Sequence, residues 1–132
     1  MRLLVDTSVW SLAMRRDVPA SEPEVQALID AINGGAELYS TGIILQELLQ
    51  GFSKPKTHDL IIERFASIPM LVPETSDYIE AAELRNRCRQ KGIQAGTIDS
   101  LIAQLSVRFD LSLLTTDKEF SHMAKVVKLK IA

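Results

Sequence analysis

Cysteine and histidine are nearly absent from this chain. A single cysteine, Cys88, excludes an intrachain disulfide and a thiolate metal cage. It falls in line with Ala81 and Leu84 at helical spacing, which predicts a buried core thiol. The two histidines, His58 and His122, lie near a loop and on a short late helix, and surface or structural roles suit both. Aromatics make up only 5%, little material for recognising single-stranded nucleic acid by base stacking. A net charge of −2 argues against holding a polyanion by bulk electrostatics, so any such ligand must be gripped locally. The cluster Arg85, Arg87, Arg89 and Lys91 is one candidate patch, although a solvated face near a helix C-terminus explains it as well. No apolar run approaches the roughly 20 residues of a bilayer span. Asp6 interrupts the N-terminal apolar stretch before it can act as a signal peptide, so a cytoplasmic location with no membrane contact is expected.

What is present suits one soluble domain over residues 1–132, with 46% hydrophobic and 24% charged residues. Arg2 to Val5 reads as a buried strand ending at Asp6, and Thr7 to Met14 as a short helix. Ser21-Glu22-Pro23-Glu24 predicts a helix start, with Ser21 as cap and Glu24 completing a capping box. Val25, Leu28, Ile29 and Ile32 supply its apolar stripe, and Asn33-Gly34-Gly35 ends it. Further strands are expected at 37–40, 70–72, 112–115 and 126–131. Helices are expected at 41–50, 56–66, from Ser76 or Asp77 to near Gly92, from Gly96-Thr97 to Phe109, and at 117–125. This alternation predicts an α/β fold, a central mostly parallel sheet with helices on both faces.

Four acids stand where strands or turns hand over to helices: Asp6, Glu47, Asp99 and Asp117. Singly, Asp6 and Asp117 read as turn or cap residues. Glu47 shares the apolar side of its helix with Ile43, Ile44 and Leu48, where a carboxylate is costly unless paired or hydrogen-bonded. Jointly they are informative, because ligands of open α/β sheets bind beyond the carboxyl ends of the strands. Carboxylates ~4 Å apart repel by about 4 kcal/mol at an effective dielectric near 20. A hard divalent cation, Mg2+ or Mn2+, relieves that repulsion, and protonating one or two acids is the alternative. The chemistry this implies is metal-assisted phosphodiester cleavage, with no histidine base required.

The ordered segments Asp6-Thr7-Ser8-Val9-Trp10, Leu45-Gln46-Glu47-Leu48, Gly96-Thr97-Ile98-Asp99-Ser100-Leu101-Ile102-Ala103 and Leu114-Thr115-Thr116-Asp117-Lys118-Glu119-Phe120 resemble PIN domains, more narrowly the VapC-type toxins of toxin–antitoxin pairs. The resemblance implies a single PIN-like α/β/α sandwich and a Mg2+- or Mn2+-dependent endoribonuclease. It implies catalytic and metal-binding roles for Asp6, Glu47, Asp99 and Asp117, with Thr115 and Ser8 as supporting polar groups. Glu119 stands where many members carry a further Asp, and its longer side chain suggests a supporting or exposed place. RNA as substrate, a cognate antitoxin and a homodimer are the implied partners. The apolar breadth of Leu60, Ile61, Ile62 and Phe65 fits either a partner surface or burial within the monomer. Trp10 reads as a core or interface anchor.

Haloacid-dehalogenase-type phosphotransferases need an acid where Ser8 stands, and receiver domains need paired acids where Thr7 follows Asp6. The remaining alternative is a non-catalytic PIN-like metal- or partner-binding module.

Overall fold

A computed structural model describes residues 1–15 and 22–132. The strands are β1 (Arg2–Val5), β2 (Glu37–Thr41), β3 (Met70–Leu71), β4 (Ser112–Leu114) and β5 (Lys130–Ile131). The helices are α1 (Thr7–Met14), α2 (Pro23–Asn33), α3 (Gly42–Gln50), α4 (Pro55–Phe65), α5 (Thr75–Gln90), α6 (Thr97–Arg108) and α7 (Glu119–Met123). The strands form one sheet in the order β3-β2-β1-β4-β5, and every pairing is parallel. Helices flank this sheet, as the alternation of elements predicts.

β1 lies at the centre because Leu3, Leu4 and Val5 are an unbroken apolar run, which only a strand covered on both faces can accommodate. It pairs with β2 through Leu4↔Tyr39 and with β4 through Val5↔Leu114. The chain grows toward β3 on one side and toward β5 on the other, so the direction of winding reverses between β1 and β4. A crevice opens at such a switch point, beyond the strands' carboxyl ends. Asp6 follows β1 there, and its N–H donates to the Leu114 carbonyl at 2.9 Å.

Several local expectations need correction. The N-cap position of α2 is Glu22, and the predicted cap Ser21 lies outside the described residues. Val25, Leu28 and Ala31 form its buried face, while Ile29 and Ile32 are exposed, because the stripe is centred one step away from where β-branched residues suggested. In α4, Ile61 and Phe65 are buried but Ile62 faces water, so burial of that helix on two sides does not occur. Trp10 is a core residue, its ring 5.0 Å from that of Phe65. His58 is partly buried against the Phe52 carbonyl, and His122 is exposed. The last strand shrinks to Lys130–Ile131, since Val126 and Val127 donate to the Met123 carbonyl in a turn after α7.

α5 begins at Thr75 with Glu74 as its N-cap, rather than Ser76 or Asp77. Asp77 has a different task. Wholly buried, it accepts from the Glu74 N–H at 2.8 Å, pairs with Arg108 of α6 at 2.8 Å and receives the Gln104 amide at 3.3 Å. This ties α5 to α6, the helix that carries Asp99. Burial alone would raise the Asp77 pKa, but the Glu74 N–H, Arg108 and Gln104 outweigh it and hold the carboxyl below its ordinary 3.8.

Removing Arg108 strands a buried charge, so Arg108→Ala should destabilise the fold by about 2–4 kcal/mol, reduced because Arg108 is partly in water. A depressed carboxyl pKa stabilises above the unfolded value and loses that contribution as pH falls through the folded one. Urea titrations should therefore show a gap between wild type and variant at neutral pH that narrows in acid. A gap independent of pH would mean that Arg108 acts through packing alone.

Candidate metal and phosphodiester site

Asp6 occupies the N-cap position of α1, yet its side chain does not cap the helix. The backbone does that: the Asp6 carbonyl accepts the N–H groups of Val9 and Trp10. The carboxylate turns instead toward the β1–β4 junction. Its Oδ2 accepts the Ser8 hydroxyl at 2.9 Å and the Thr115 hydroxyl at 2.8 Å. Each hydroxyl is itself oriented, because Ser8 Oγ accepts the Thr116 N–H at 3.2 Å and Thr115 Oγ1 accepts the Asp117 N–H at 3.0 Å. Both protons are thereby directed at one carboxylate oxygen of a side chain that is 6% exposed.

Glu47 sits on α3 next to the wholly buried Ile44 and Leu48, half-buried itself. Its Oε1 receives the Thr7 hydroxyl at 3.0 Å, which answers how a carboxylate is tolerated on that side of the helix. Thr7 is a residue that the sequence reading passed over. It is also the first residue of α1, so one turn of chain after β1 orients two acids, Asp6 through Ser8 and Glu47 through Thr7.

Asp99 lies in the first turn of α6, half-buried, with Ile102 and Ala103 packed beneath that helix. Its pKa is raised from 3.8 to about 6, first by burial, then by the charges of Asp6, Asp117, Glu119 and Glu47. Acids that are far apart in the chain therefore lie near enough for their charges to act on Asp99.

Asp117 stands before α7 rather than inside it, and its Oδ1 accepts the Glu119 N–H at 2.9 Å. The helix starts at Glu119, and this changes what Glu119 can reach. Two residues apart within a helix, side chains diverge by about 200°. Across the bend that precedes this helix, the two carboxylates turn the same way. Asp99, Asp117 and Glu119 each offer an oxygen, and the three lie within 4.8 Å of one another. Of the supporting or exposed place expected for Glu119, the exposed one is corrected: the side chain is half-buried and its carboxylate lies beside those of Asp99 and Asp117. The sequence signal was the Asp-x-Glu spacing, obscured by starting the helix at residue 117.

Oxygen is the sole donor type in this cluster. An all-carboxylate set of this kind suits Mg2+ or Mn2+ better than softer metals.

The PIN domain family model matches residues 3–126 of the chain. The chain is 27% identical over 132 residues to a VapC ribonuclease of Mycobacterium bovis, covering 98% of this chain and 97% of that protein. Ribonuclease VapC11 of Mycobacterium tuberculosis is similar to the same extent, 27% over 98% and 97% of the two chains. Among solved structures, VapBC2 from Rickettsia felis, bound to a promoter DNA fragment, superposes with a TM-score of 0.77 at 18% identity over 100% of this chain and 98% of that one. VapBC-1 from nontypeable Haemophilus influenzae gives 0.75 at 18% identity over 100% and 97%. At such identities these structures speak to the fold.

A carboxyl whose folded pKa lies above its unfolded value stabilises while protonated, and that contribution disappears as pH rises through the folded pKa, here about 6. Asp99→Asn should therefore raise the melting temperature of the metal-free protein at about pH 7.5, with little effect at about pH 4. Thermal melts in chelator check this; lower stability of the variant at both pH values would make Asp99 a structural residue.

Proposed function

The chain belongs to the PIN domain family, and we propose that it is a metal-dependent endoribonuclease, the toxin of a toxin–antitoxin pair. One observation carries the reading: Asp99 is half-buried among the charges of Asp6, Asp117, Glu119 and Glu47, and burial first, then those charges, raise its pKa to about 6. A scaffold gains nothing from such repulsion, whereas a cation site requires it. The ribonuclease names of the curated relatives and the VapBC complexes among the structural neighbours support the same reading.

In this proposal Asp6, Asp99 and Asp117 hold Mg2+ or Mn2+, with Glu47 and Glu119 completing the acidic ring. A bound cation would supply Lewis-acid chemistry there, polarising a phosphoryl oxygen and acidifying water. The chain's own residues fix the geometry. Ser8 and Thr115 lock Asp6 Oδ2, which would leave Oδ1 to serve a cation. Thr7 holds Glu47 in line. Asp99, half-protonated near pH 6, must lose that proton to bind a cation, so cleavage falls in acid.

The partners follow. RNA is the substrate, a cognate antitoxin silences the site, and a second copy completes a homodimer in the cytoplasm. No helix of the described residues is long and apolar enough to cross a membrane. The dimer face that fits best is an apolar groove of about 420 Å3 between α5 and α6, beside Ile43 of α3, where Tyr78 and Ile98 are exposed.

Incubation with a mixed cellular RNA pool in Mg2+ or Mn2+ should give discrete fragments, absent in EDTA and lost by at least roughly 100-fold in Asp99→Asn. Absence of cleavage under every condition would favour a non-catalytic binding module. Tyr78→Glu should halve the mass measured by light scattering; an unchanged mass would remove this groove from the dimer.

A further inference from the structure

The acids explain where a phosphodiester is cut but not what attracts a polyanion to a chain of net charge −2. A second cavity, of about 620 Å3, lies between α5, α6 and the segment that follows α7. Arg87, Lys125 and Lys128 line it beside Gln104, whose amide is held by Asp77, over an apolar wall that includes Leu84; Glu80 is the carboxylate on its edge. Its volume is within the range of about 300–1,000 Å3 typical of ligand sites.

These cations are uncommitted. Among the described residues, Arg2, Arg108 and Lys130 are held in ion pairs with Glu37, Asp77 and Asp110, whereas Arg87, Lys125 and Lys128 have no such partner. Three like charges around one hollow repel each other unless an anion joins them.

The position of the hollow matters as much as its charge. Both helices that begin at the acids lead to it. On α6, Asp99 is followed by Gln104, about 7.5 Å along the axis at ~1.5 Å per residue. On the other side, Glu119 opens α7 and Lys125 follows just after its end. A strand seated on the acids and running along α6 and α7 covers that distance in about two stacked nucleotides at ~3.4 Å each.

We propose that Arg87, Lys125 and Lys128 form a backbone-phosphate subsite for the single-stranded RNA that leaves the acidic crevice. The proposal rests on the ribonuclease reading but concerns binding, so the two can be tested apart. The cations supply the attraction that the acids cannot, and the apolar wall leaves room for a base without reading its identity.

The test uses Lys125→Glu combined with Lys128→Glu, and separately the Lys→Arg pair. On a long RNA, the Glu pair should raise KM by roughly tenfold and leave kcat unchanged, and should flatten the salt dependence of log kcat/KM by about 1.4, near 0.7 per lost phosphate contact. The Lys→Arg pair should match wild type. A dinucleotide substrate keeps a single nucleotide on either side of the cut, falls short of the hollow, and should be cleaved equally by all three proteins. Fluorescence anisotropy with the same long RNA in EDTA keeps the result independent of catalysis. If wild type cleaves nothing yet binds this RNA with a salt slope that the Glu pair loses, the subsite stands and the ribonuclease reading falls. Unchanged KM, binding and slope in the Glu pair would overturn the subsite. So would an equal loss on the dinucleotide, which would point to a distorted acidic crevice instead.

Discussion

At the junction of β1 and β4, two hydroxyls converge on one oxygen of Asp6, and the remainder of the crevice is built around that point. Ser8 belongs to the helix after β1, Thr115 to the turn after β4, and the Val5↔Leu114 register sets them opposite each other. A slip of one residue between these strands would reverse the facing of every side chain on the shifted strand. The buried run Leu3-Leu4-Val5 and its neighbours Leu113 and Leu114 make such a slip prohibitive. Apolar burial in the sheet thus determines, at the level of single hydrogen bonds, where a polar oxygen points.

The crowded acids work against this order. Burial and the neighbouring acids disfavour the ionised form of Asp99, and the structure tolerates this because the elements that carry the acids are anchored elsewhere. Asp99 rides on α6, which the buried Asp77–Arg108 pair fastens to α5. Glu47 rides on α3, whose Ile44 and Leu48 are wholly buried. Strain at a binding site and firm packing behind it are a recurrent combination, because a ligand can relieve the first only when the second holds still.

Much of this was legible in the residues. β1, α1 and the parallel sheet followed from an apolar run and from the alternation of periods, and the approach of Asp6, Glu47 and Asp117 to Asp99 was expected from sheet topology. What could not be read were the offsets of one or two residues that decide orientation. Periodicity located α2 but placed Ile29 and Ile32 inside, because apolar residues were present on both candidate faces. The start of α7 was misplaced by two residues, which was enough to misjudge Glu119. Thr7 was invisible because a hydroxyl carries no hydropathy signal, and its bond to Glu47 spans 40 positions of sequence. Single hydrogen bonds between distant segments are the layer that local patterns do not encode.

The order of the strands also has a consequence in time. Among the strands, the central β1 leaves the ribosome before its partners, while its neighbour β4 follows more than 100 residues later, with Thr115, Asp117 and Glu119 just after it. An elongating chain that lacks β4 has Asp6 but not the Thr115 hydroxyl that helps to orient it, and none of the late acids. The crevice therefore cannot be assembled piecemeal. Synthesis yields it only once β4 and the acids after it have been made, so the growing chain has no complete site until then.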